Sequence, residues 1–320
     1  MVLPSRFRIS RTDCRFWLSA GLLLALIEGL ACWQQIGLVA GARTSWVTET
    51  ARSRVSAVAS DVTARLTPVE QAALSLAVIA ESSPPGSRPL TPTVLSLVLP
   101  SDTPVRAITA FRPRAEQSPD DFEGWRVAPG GALKPLPPGS QAALVERCDT
   151  REAQPHWTAP YPVGEAPGSY AVTYCFPLFP HRRGGEGVAT GVLAVDVSLD
   201  WLAPLAEAGL QVPDPGSGEA LGQPFLRFGA AGGVLLPAGG LAGMPDTVAG
   251  KEVAVARAGQ ALWAQILLPD TGWNLGIRFA VPALARMPAD TRRMLAGLFI
   301  KDMLLVCLAI LFAGYRRRAR

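Results

Sequence analysis

Histidine is almost absent from this chain, because His156 and His181 are the only two among 320 residues. Both lie in stretches that read as loops, and no GxSxG, HExxH or Walker-type pattern occurs in the sequence. The glycine-rich stretch 185–191 looks superficially like a dinucleotide loop. It precedes a predicted strand instead of opening a helix, which is typical of a hairpin turn. We therefore expect no catalytic site, and we interpret the chain as a non-enzyme without a cofactor.

Charged residues and cysteine are also sparse. Asp, Glu, Lys and Arg make up 18% of the chain, and no interior basic run is interleaved with aromatics, which argues against nucleic acid as a partner. The five cysteines include no CxxC pair, so the sequence predicts no metal site. By contrast, 49% of the residues are hydrophobic. That is enough for one or two domains together with membrane segments.

The first long apolar run covers residues 16–40 and follows four arginines, at positions 6, 8, 11 and 15. It is long enough to cross a hydrocarbon core of roughly 30 Å, and the positive-inside rule places residues 1–15 in the cytoplasm. A cleaved signal peptide is the alternative, because Ala40-Gly41-Ala42 looks like a cleavage site. An uncleaved transmembrane helix is favoured, since the run exceeds an h-region of about 7–15 residues.

The second long apolar run covers residues 295–315 and is followed by arginines in the segment 316–320. This basic cluster marks a second cytoplasmic end. With both ends in the cytoplasm, the region from about 42 to 293 is expected to face the periplasm of a bacterial inner membrane. The segment 316–320 is too short for an output domain, so we expect a separate cytoplasmic or membrane protein to receive any signal.

Both apolar runs contain ionisable residues, which are costly within a membrane and tend to pair. Glu28 lies near the middle of the first run, and Lys301 lies about four residues further outward in the second. At 1.5 Å per residue this offset is roughly 6 Å, within reach of a lysine side chain. We predict a Glu28–Lys301 contact within or between subunits. The alternative is that Lys301 extends toward the interface and Glu28 is protonated.

Residues 45–81 read as a long helix that continues from the first apolar run. Apolar residues repeat along it with heptad spacing, namely Val55, Val62, Val69 and Leu76, with Val58, Ala72 and Ile79 as a companion row. Such a stripe is typical either of a homodimer seam or of packing against the domain's own sheet. The sequence Thr67-Pro68-Val69-Glu70 is a capping box, which predicts a kink or a restart of the helix near residue 67.

The region after this helix alternates in the manner of β-strands. Strands are predicted at 105–111, at 170–179 and 191–197, which pair as a hairpin, and in a smaller unit at 225–228, 233–236, 253–256, 261–268 and 273–280. Short helices are predicted at 93–99 and after Ser198, which is placed as an N-cap. The fold class is therefore α+β, with a long N-terminal helix and two antiparallel-sheet, PAS-like lobes flanked by two transmembrane helices.

Three motifs carry a resemblance to a known family. In order along the chain they are Trp157-Thr158-Ala159-Pro160-Tyr161, then Thr173-Tyr174-Cys175-Phe176-Pro177-Leu178, then Gly191-Val192-Leu193-Ala194-Val195-Asp196-Val197-Ser198-Leu199-Asp200-Trp201-Leu202. Their form and order resemble the double Cache sensor domain of bacterial receptors. The resemblance covers about residues 45–293, with a distal lobe at about 83–210 and a proximal lobe at about 220–285.

The resemblance implies that the distal lobe binds a small molecule, and that Trp157, Tyr161, Tyr174 and Asp196 contact it. Independently, a carboxylate at Asp196 in an otherwise apolar strand must be paired by the protein or held for a cationic ligand group. Aromatic walls would favour an ammonium. The alternatives are that Asp196 points outward or caps a helix, and that the aromatics belong to the core. The amino-acid-binding members also carry a paired Arg and Trp-Tyr, of which only the fragment Trp125-Arg126 is present here.

Cys148 and Cys175 are the only cysteines in the middle of the chain, on either side of the aromatic motif. The periplasm is oxidising, so we predict a disulfide that closes a loop of about 28 residues. Two buried free thiols are the alternative. The sequence thus predicts a membrane-anchored sensor, with a non-sensing tethered accessory or scaffold protein as the second interpretation.

Overall fold

The computed structural model describes residues 11–83, 91–99, 103–113, 122–128, 131, 133–136, 144, 146–148, 154–163, 169–179, 191–214, 217–228, 234–236, 244–245, 252–268, 270–285 and 289–318. The chain divides into two compact units. One contains Thr50–Val212 and Gly222–Phe279; the other contains the chain up to Glu49, Pro213–Leu221 and Ala280–Arg320.

Helix α1 (Arg11–Ser82) is 72 residues long and unites the first apolar run with the predicted helix at 45–81. From Thr50 onward it belongs to the larger unit. The heptad row Val55, Val62, Val69 and Leu76 is completely buried there, with 0% of each residue exposed. Because this burial occurs within a single chain, the stripe packs into its own domain, which was the second of the two interpretations.

Helix α1 does not restart at the predicted capping box, because Pro68 lies inside it. The hydroxyl of Thr67 donates to the carbonyl oxygen of Thr63, at 2.9 Å, instead of capping a new helix. Proline removes one helical N–H, whose acceptor would be the carbonyl of Ala64. Ala64 is exposed, so water can satisfy that carbonyl and the helix continues. The predicted restart is wrong for this reason.

The first sheet has seven strands, all in the larger unit. They are β1 (Val105–Pro113), β2 (Phe122–Val127), β3 (Lys134–Pro135), β4 (His156–Trp157), β5 (Tyr161–Pro162), β6 (Tyr170–Leu178) and β7 (Gly191–Ser198). Their order is β3-β2-β1-β7-β6-β4, and β5 also pairs with β6. The predicted β6–β7 hairpin pairing is confirmed. Strand β7 is buried on both faces, so it is the centre of the sheet.

The second sheet has five antiparallel strands in the order β10-β11-β12-β8-β9. They are β8 (Gly222–Phe228), β9 (Val234–Leu236), β10 (Ala254–Ala258), β11 (Ala261–Leu268) and β12 (Trp273–Ala280). Gly276 permits the close packing of this sheet, since a Cβ there would lie 2.3 Å from the carbonyl oxygen of Ala264. The two sheets with the long helix confirm the α+β class.

The larger unit also contains two short helices. Helix α2 (Pro92–Val98) begins at Thr91, whose hydroxyl accepts the N–H of Val94. Helix α3 (Leu202–Gly209) has Trp201 as its N-cap, without a side-chain cap. The predicted cap at Ser198 is therefore wrong, because the Ser198 hydroxyl instead donates to the neighbouring carboxylate of Asp200, at 2.7 Å.

In the smaller unit, α4 (Val281–Ala285) precedes α5 (Ala289–Arg318), which contains the second apolar run. Arg43 of α1 forms an ion pair of 2.8 Å with Asp214, and both side chains are nearly buried. A turn around Gly218, whose φ is 73°, brings the N–H of Asp214 to the carbonyl of Glu219. Among the residues that the structure describes, no helix is both long and apolar enough to cross a membrane.

Candidate functional site

Asp196 is the centre of a hydrogen-bond network on one face of the first sheet. It lies directly opposite Thr173 on the neighbouring strand and is 5% exposed. The hydroxyl groups of Thr173 and Tyr161 both donate to its Oδ1 atom, at 2.7 and 3.0 Å. A guanidinium nitrogen of Arg126 lies 3.2 Å from Oδ2. Asp196 is therefore paired by the protein, one of the two roles left open by the sequence.

Tyr161 reaches this network from β5 and is held as a neutral phenol. Burial raises the pKa of its hydroxyl above the usual value, and the adjacent negative charge of Asp196 raises it further. Its oxygen also lies 3.0 Å from the hydroxyl oxygen of Thr173. Each hydroxyl has a single proton, and both protons are directed to Asp196. The three side chains thus form a fixed polar floor.

Two further arginines approach the same floor. The guanidinium carbon of Arg147 lies 4.0 Å from the centre of the Tyr161 ring, a cation–π contact. Arg106 lies where the pairing of β1 with β7 shifts its register, between Val105 and Ala107. A β-bulge of this kind redirects a side chain. Ala107 lies opposite Asp196, so without the shift Arg106 would face the other side of the sheet.

A cavity of about 270 Å³ lies above the floor. It is lined by Arg106, Arg126, Arg147, Tyr161, Pro162, Val163, Ala171 and Asp196. At about 30 Å³ per molecule, its volume corresponds to roughly nine waters. All lining residues belong to the larger unit. The dimensions suit a small metabolite, and the few convergent polar groups are typical of a ligand site.

Trp157 and Tyr174, the other two predicted ligand residues, lie outside the lining of this cavity. Tyr174 follows Thr173 directly along β6, so its side chain projects from the opposite face of the sheet. The rings of Trp157 and Tyr174 are 4.9 Å apart. The Trp157 indole N–H donates to Oε1 of Glu70 on α1, at 2.8 Å. Tyr161 and Asp196 thus lie on the face of the first sheet that carries the cavity, which we call the cavity face. Trp157 and Tyr174 lie on the opposite face, directed toward α1, which we call the helix face.

Two groups at the helix face, the Glu70 carboxyl and the Tyr174 hydroxyl, have shifted pKa values. Burial raises the pKa of the Glu70 carboxyl, the Trp157 hydrogen bond lowers it, and the charge of Asp270 raises it. Burial, followed by the charges of Glu70 and Asp270, raises the pKa of Tyr174 to about 12. Tyr174 is therefore a neutral phenol throughout the physiological range. A second hydrogen bond joins α1 to this sheet, from the Phe179 N–H to Glu81, at 2.9 Å.

Cys148 and Cys175 form a disulfide, with their Cα atoms 5.5 Å apart. The bond fixes the helical residues 146–148 to strand β6, next to the cavity. Arg147 is the immediate neighbour of Cys148. The disulfide therefore holds the backbone that carries one of the cavity arginines.

The basic side of the cavity is the part that sequence reasoning missed. Arg106, Arg126 and Arg147 are far apart in sequence and share no motif. A usable signal existed for Arg126, because strand alternation places it with the residues that face Asp196 across β1. None existed for Arg106, since its direction depends on a bulge, and the signal for Arg147 was its place beside Cys148 of the predicted disulfide.

Glu28 and Lys301 are both in helices of the smaller unit. Glu28 is partly exposed within α1, and Lys301 is exposed within α5. Their contact stays a prediction. The charge-swapped double variant Glu28→Lys/Lys301→Glu should recover the loss of stability of either single variant, and failure to recover would count against the pair.

Three solved structures illustrate what the chain is similar to. The sensory domain of the Campylobacter jejuni chemoreceptor Tlp3 shares 10% identity, covers 78% of this chain and 100% of its own, and has a TM-score of 0.49. The ligand-binding domain of Mlp24 with asparagine shares 15% identity, over 77% of this chain and 97% of its own, with a TM-score of 0.48. The extracellular domain of a histidine kinase shares 16%, over 76% and 97%, with a TM-score of 0.48.

These neighbours are sensory, ligand-binding or extracellular domains of other proteins. Similarity at this level concerns the arrangement of helices and strands and does not extend to what the neighbours bind. No protein-family model matches the chain, and no curated protein matches it in sequence.

Proposed function

We propose that the chain is a membrane-anchored, extracytoplasmic sensor that binds a small molecule in the cavity above Asp196. The observation that carries this proposal is the cavity itself, which has about 270 Å³ of space above a floor of mutually hydrogen-bonded polar side chains. A preformed concave site with a few fixed polar groups is the usual form of a small-molecule site. Tyr161 and Asp196 provide the floor.

Trp157 and Tyr174 have a different role in this proposal. They lie on neighbouring strands, Trp157 on β4 and Tyr174 on β6, on the face directed toward α1, where Trp157 bonds to Glu70. A ligand that moves β6 would therefore move the attachment point of α1 as well. Small displacements of a packed helix are an established way to transmit binding. The first sheet would thus connect the cavity on one face with the long helix on the other.

The anchoring is proposed from the apolar runs 16–40 and 295–315 and their flanking arginines. In this arrangement both ends are cytoplasmic, and both sheets are in the periplasm. A reporter that is active only after export should be inactive when fused after Arg320 and active when inserted near residue 216. Activity after Arg320 would contradict the topology. Transfer of the signal to a separate output protein and homodimer formation stay predictions from the sequence.

A thermal-shift screen of the purified full chain in detergent tests the sensor. A library of amino acids, polyamines, organic acids and purines should contain compounds that raise the unfolding temperature in a saturable way. Asp196→Asn and Tyr161→Phe should weaken that effect, because each alters the floor of the cavity. Asp61→Asn, an exposed carboxylate on α1, is the matched control and should not. A library without a single saturable hit would favour the alternative, a tethered accessory or scaffold protein.

A further inference from the structure

We propose that the ligand of this cavity is a small anion, a carboxylate or phosphate, and that Arg106 and Arg147 hold it. This inference rests on the proposed function and specifies the ligand class for the same site. It differs from the cationic ligand that the position of Asp196 suggested in the sequence, and it follows from three features of the cavity.

The first feature is the charge of the lining. Three guanidinium groups and one carboxylate line the cavity, so its formal charge is +3 − 1 = +2. Among the residues that the structure describes, Asp196 is the only acidic side chain in that lining. All three arginines are exposed to water. An anion that enters replaces that hydration and gains charge-assisted hydrogen bonds.

The second feature is that Asp196 is already neutralised. It accepts two hydroxyl hydrogen bonds on Oδ1 and pairs with Arg126 through Oδ2. A ligand ammonium would have to compete with Arg126 for this carboxylate, and it would approach two other guanidinium groups as it did so. Like charges at such distances repel. The Asp196–Arg126 pair therefore has no net charge, and the excess positive charge of the cavity lining is that of Arg106 and Arg147.

The third feature is the way in which the two remaining arginines are presented. The guanidinium carbon of Arg147 lies over the ring of Tyr161, 4.0 Å from its centre. A cation–π contact uses no N–H donor, so the five donors in the guanidinium plane keep a geometry that matches carboxylate and phosphate oxygens. Arg106 is turned to the same cavity by the register shift in β1. Two guanidinium groups on one small cavity favour bidentate binding of an oxyanion.

The experiment compares four probes on the purified full chain by isothermal titration calorimetry and thermal shift. Succinate and inorganic phosphate are the anionic probes, succinamide is a neutral analogue of the same length, and putrescine is a cation of similar length. We expect saturable binding of succinate, phosphate or both, and none of succinamide or putrescine. Preference between the two anions distinguishes a carboxylate ligand from a phosphate ligand.

Arg106→Gln and Arg147→Gln should each weaken anion binding about tenfold or more, since each removes a charged hydrogen-bonding partner. The matched control is Arg257→Gln, an exposed arginine on strand β10 of the second sheet, which should leave binding unchanged. Equal loss in the control, or unchanged binding in both cavity variants, would mean that the anions act non-specifically and would overturn the inference.

The experiment can contradict the ligand class and the sensor function separately. If succinamide or putrescine binds in a manner sensitive to Tyr161→Phe while both anions fail, the ligand class is wrong and the sensor function stands. If none of the four probes and no member of the wider library binds, both are overturned. A folded Arg147→Gln variant is verified by the circular dichroism spectrum and the disulfide, so that loss of binding is not confused with loss of fold.

Discussion

At the scale of single residues, the polar groups of the first sheet are arranged on two faces with different consequences. Asp196 and Thr173 share the cavity face, and Trp157 and Tyr174 share the helix face. Asp196 was recognisable in the sequence because a carboxylate in an apolar strand needs a partner. The pairing with Arg126 needed the fold as well as the strand pattern, because Arg126 comes from a strand 70 residues away. Sequence patterns indicate which charged residue is costly to bury, and only the fold shows which partner offsets that cost.

Glu70 should make stability depend on pH in a distinctive direction. Burial raises its pKa above 4.5 in the folded state, so between pH 4.5 and that higher value the folded chain binds more protons than the unfolded chain. The free energy of unfolding therefore falls as pH rises through this window. Glu70→Gln should remove this component while keeping an acceptor for Trp157. Urea unfolding of both proteins from pH 4.5 to 7 checks it, and identical slopes against pH would contradict it.

The indole of Trp157 should contribute through its hydrogen bond. Trp157→Phe should lower the free energy of unfolding by about 1–2 kcal/mol, the usual cost of losing a bond to a charged group that water can partly replace. Trp201→Phe is the matched control, since the buried Trp201 indole nitrogen has no hydrogen-bond partner among the residues that the structure describes. Denaturant titration measures both. A larger cost for Trp201→Phe would show that ring volume, and not the hydrogen bond, dominates at these positions.

At the scale of elements, strands were easier to predict than the boundaries of helices. Strands β6, β7, β11 and β12 are rich in apolar, β-branched and aromatic residues, and their observed bounds match the sequence to within a residue. The helix signals failed where a side chain had a competing partner. Thr67 bonds back to the preceding turn and Ser198 bonds to Asp200, so neither serves as an N-cap. Local sequence does not decide between such neighbours.

The disulfide should support both stability and binding. Replacing both Cys148 and Cys175 by serine should lower the free energy of unfolding by about 3–4 kcal/mol, as loop closure predicts for bonded residues that are 27 apart. The same variant should bind succinate more weakly, because Arg147 loses its attachment to β6. Cys307→Ser is the control, since Cys307 is a free cysteine. Intact-mass measurement with and without reductant checks the bond itself, and an unchanged succinate affinity would separate Arg147 from the disulfide.

At the scale of the whole molecule, the buried stripe of α1 determines what the helix can offer to another chain. Val55, Val62, Val69 and Leu76 are already covered within one chain. A heptad pattern alone cannot distinguish a seam between chains from a seam against a sheet, because both bury one side of a helix every seven residues. A homodimer, which stays a prediction, would use another surface of this protein.

Val62→Ala should therefore destabilise the single chain. Removing two buried methyl groups should cost about 2 kcal/mol, and the change in unfolding midpoint should be the same over a hundredfold range of protein concentration. Ser60→Ala, an exposed position on the same helix, should have little effect. If the destabilisation diminished as the protein was concentrated, Val62 would belong to an interface between chains.

The bond between Cys148 and Cys175 also has a temporal consequence. Cytosolic thiols stay reduced, whereas exported proteins become oxidised. In the proposed location, a newly made chain would carry Arg147 on an unfastened segment until translocation was complete. The protein would then become able to bind its ligand only after export, so the same metabolite inside the cell, however abundant, would meet an immature receptor.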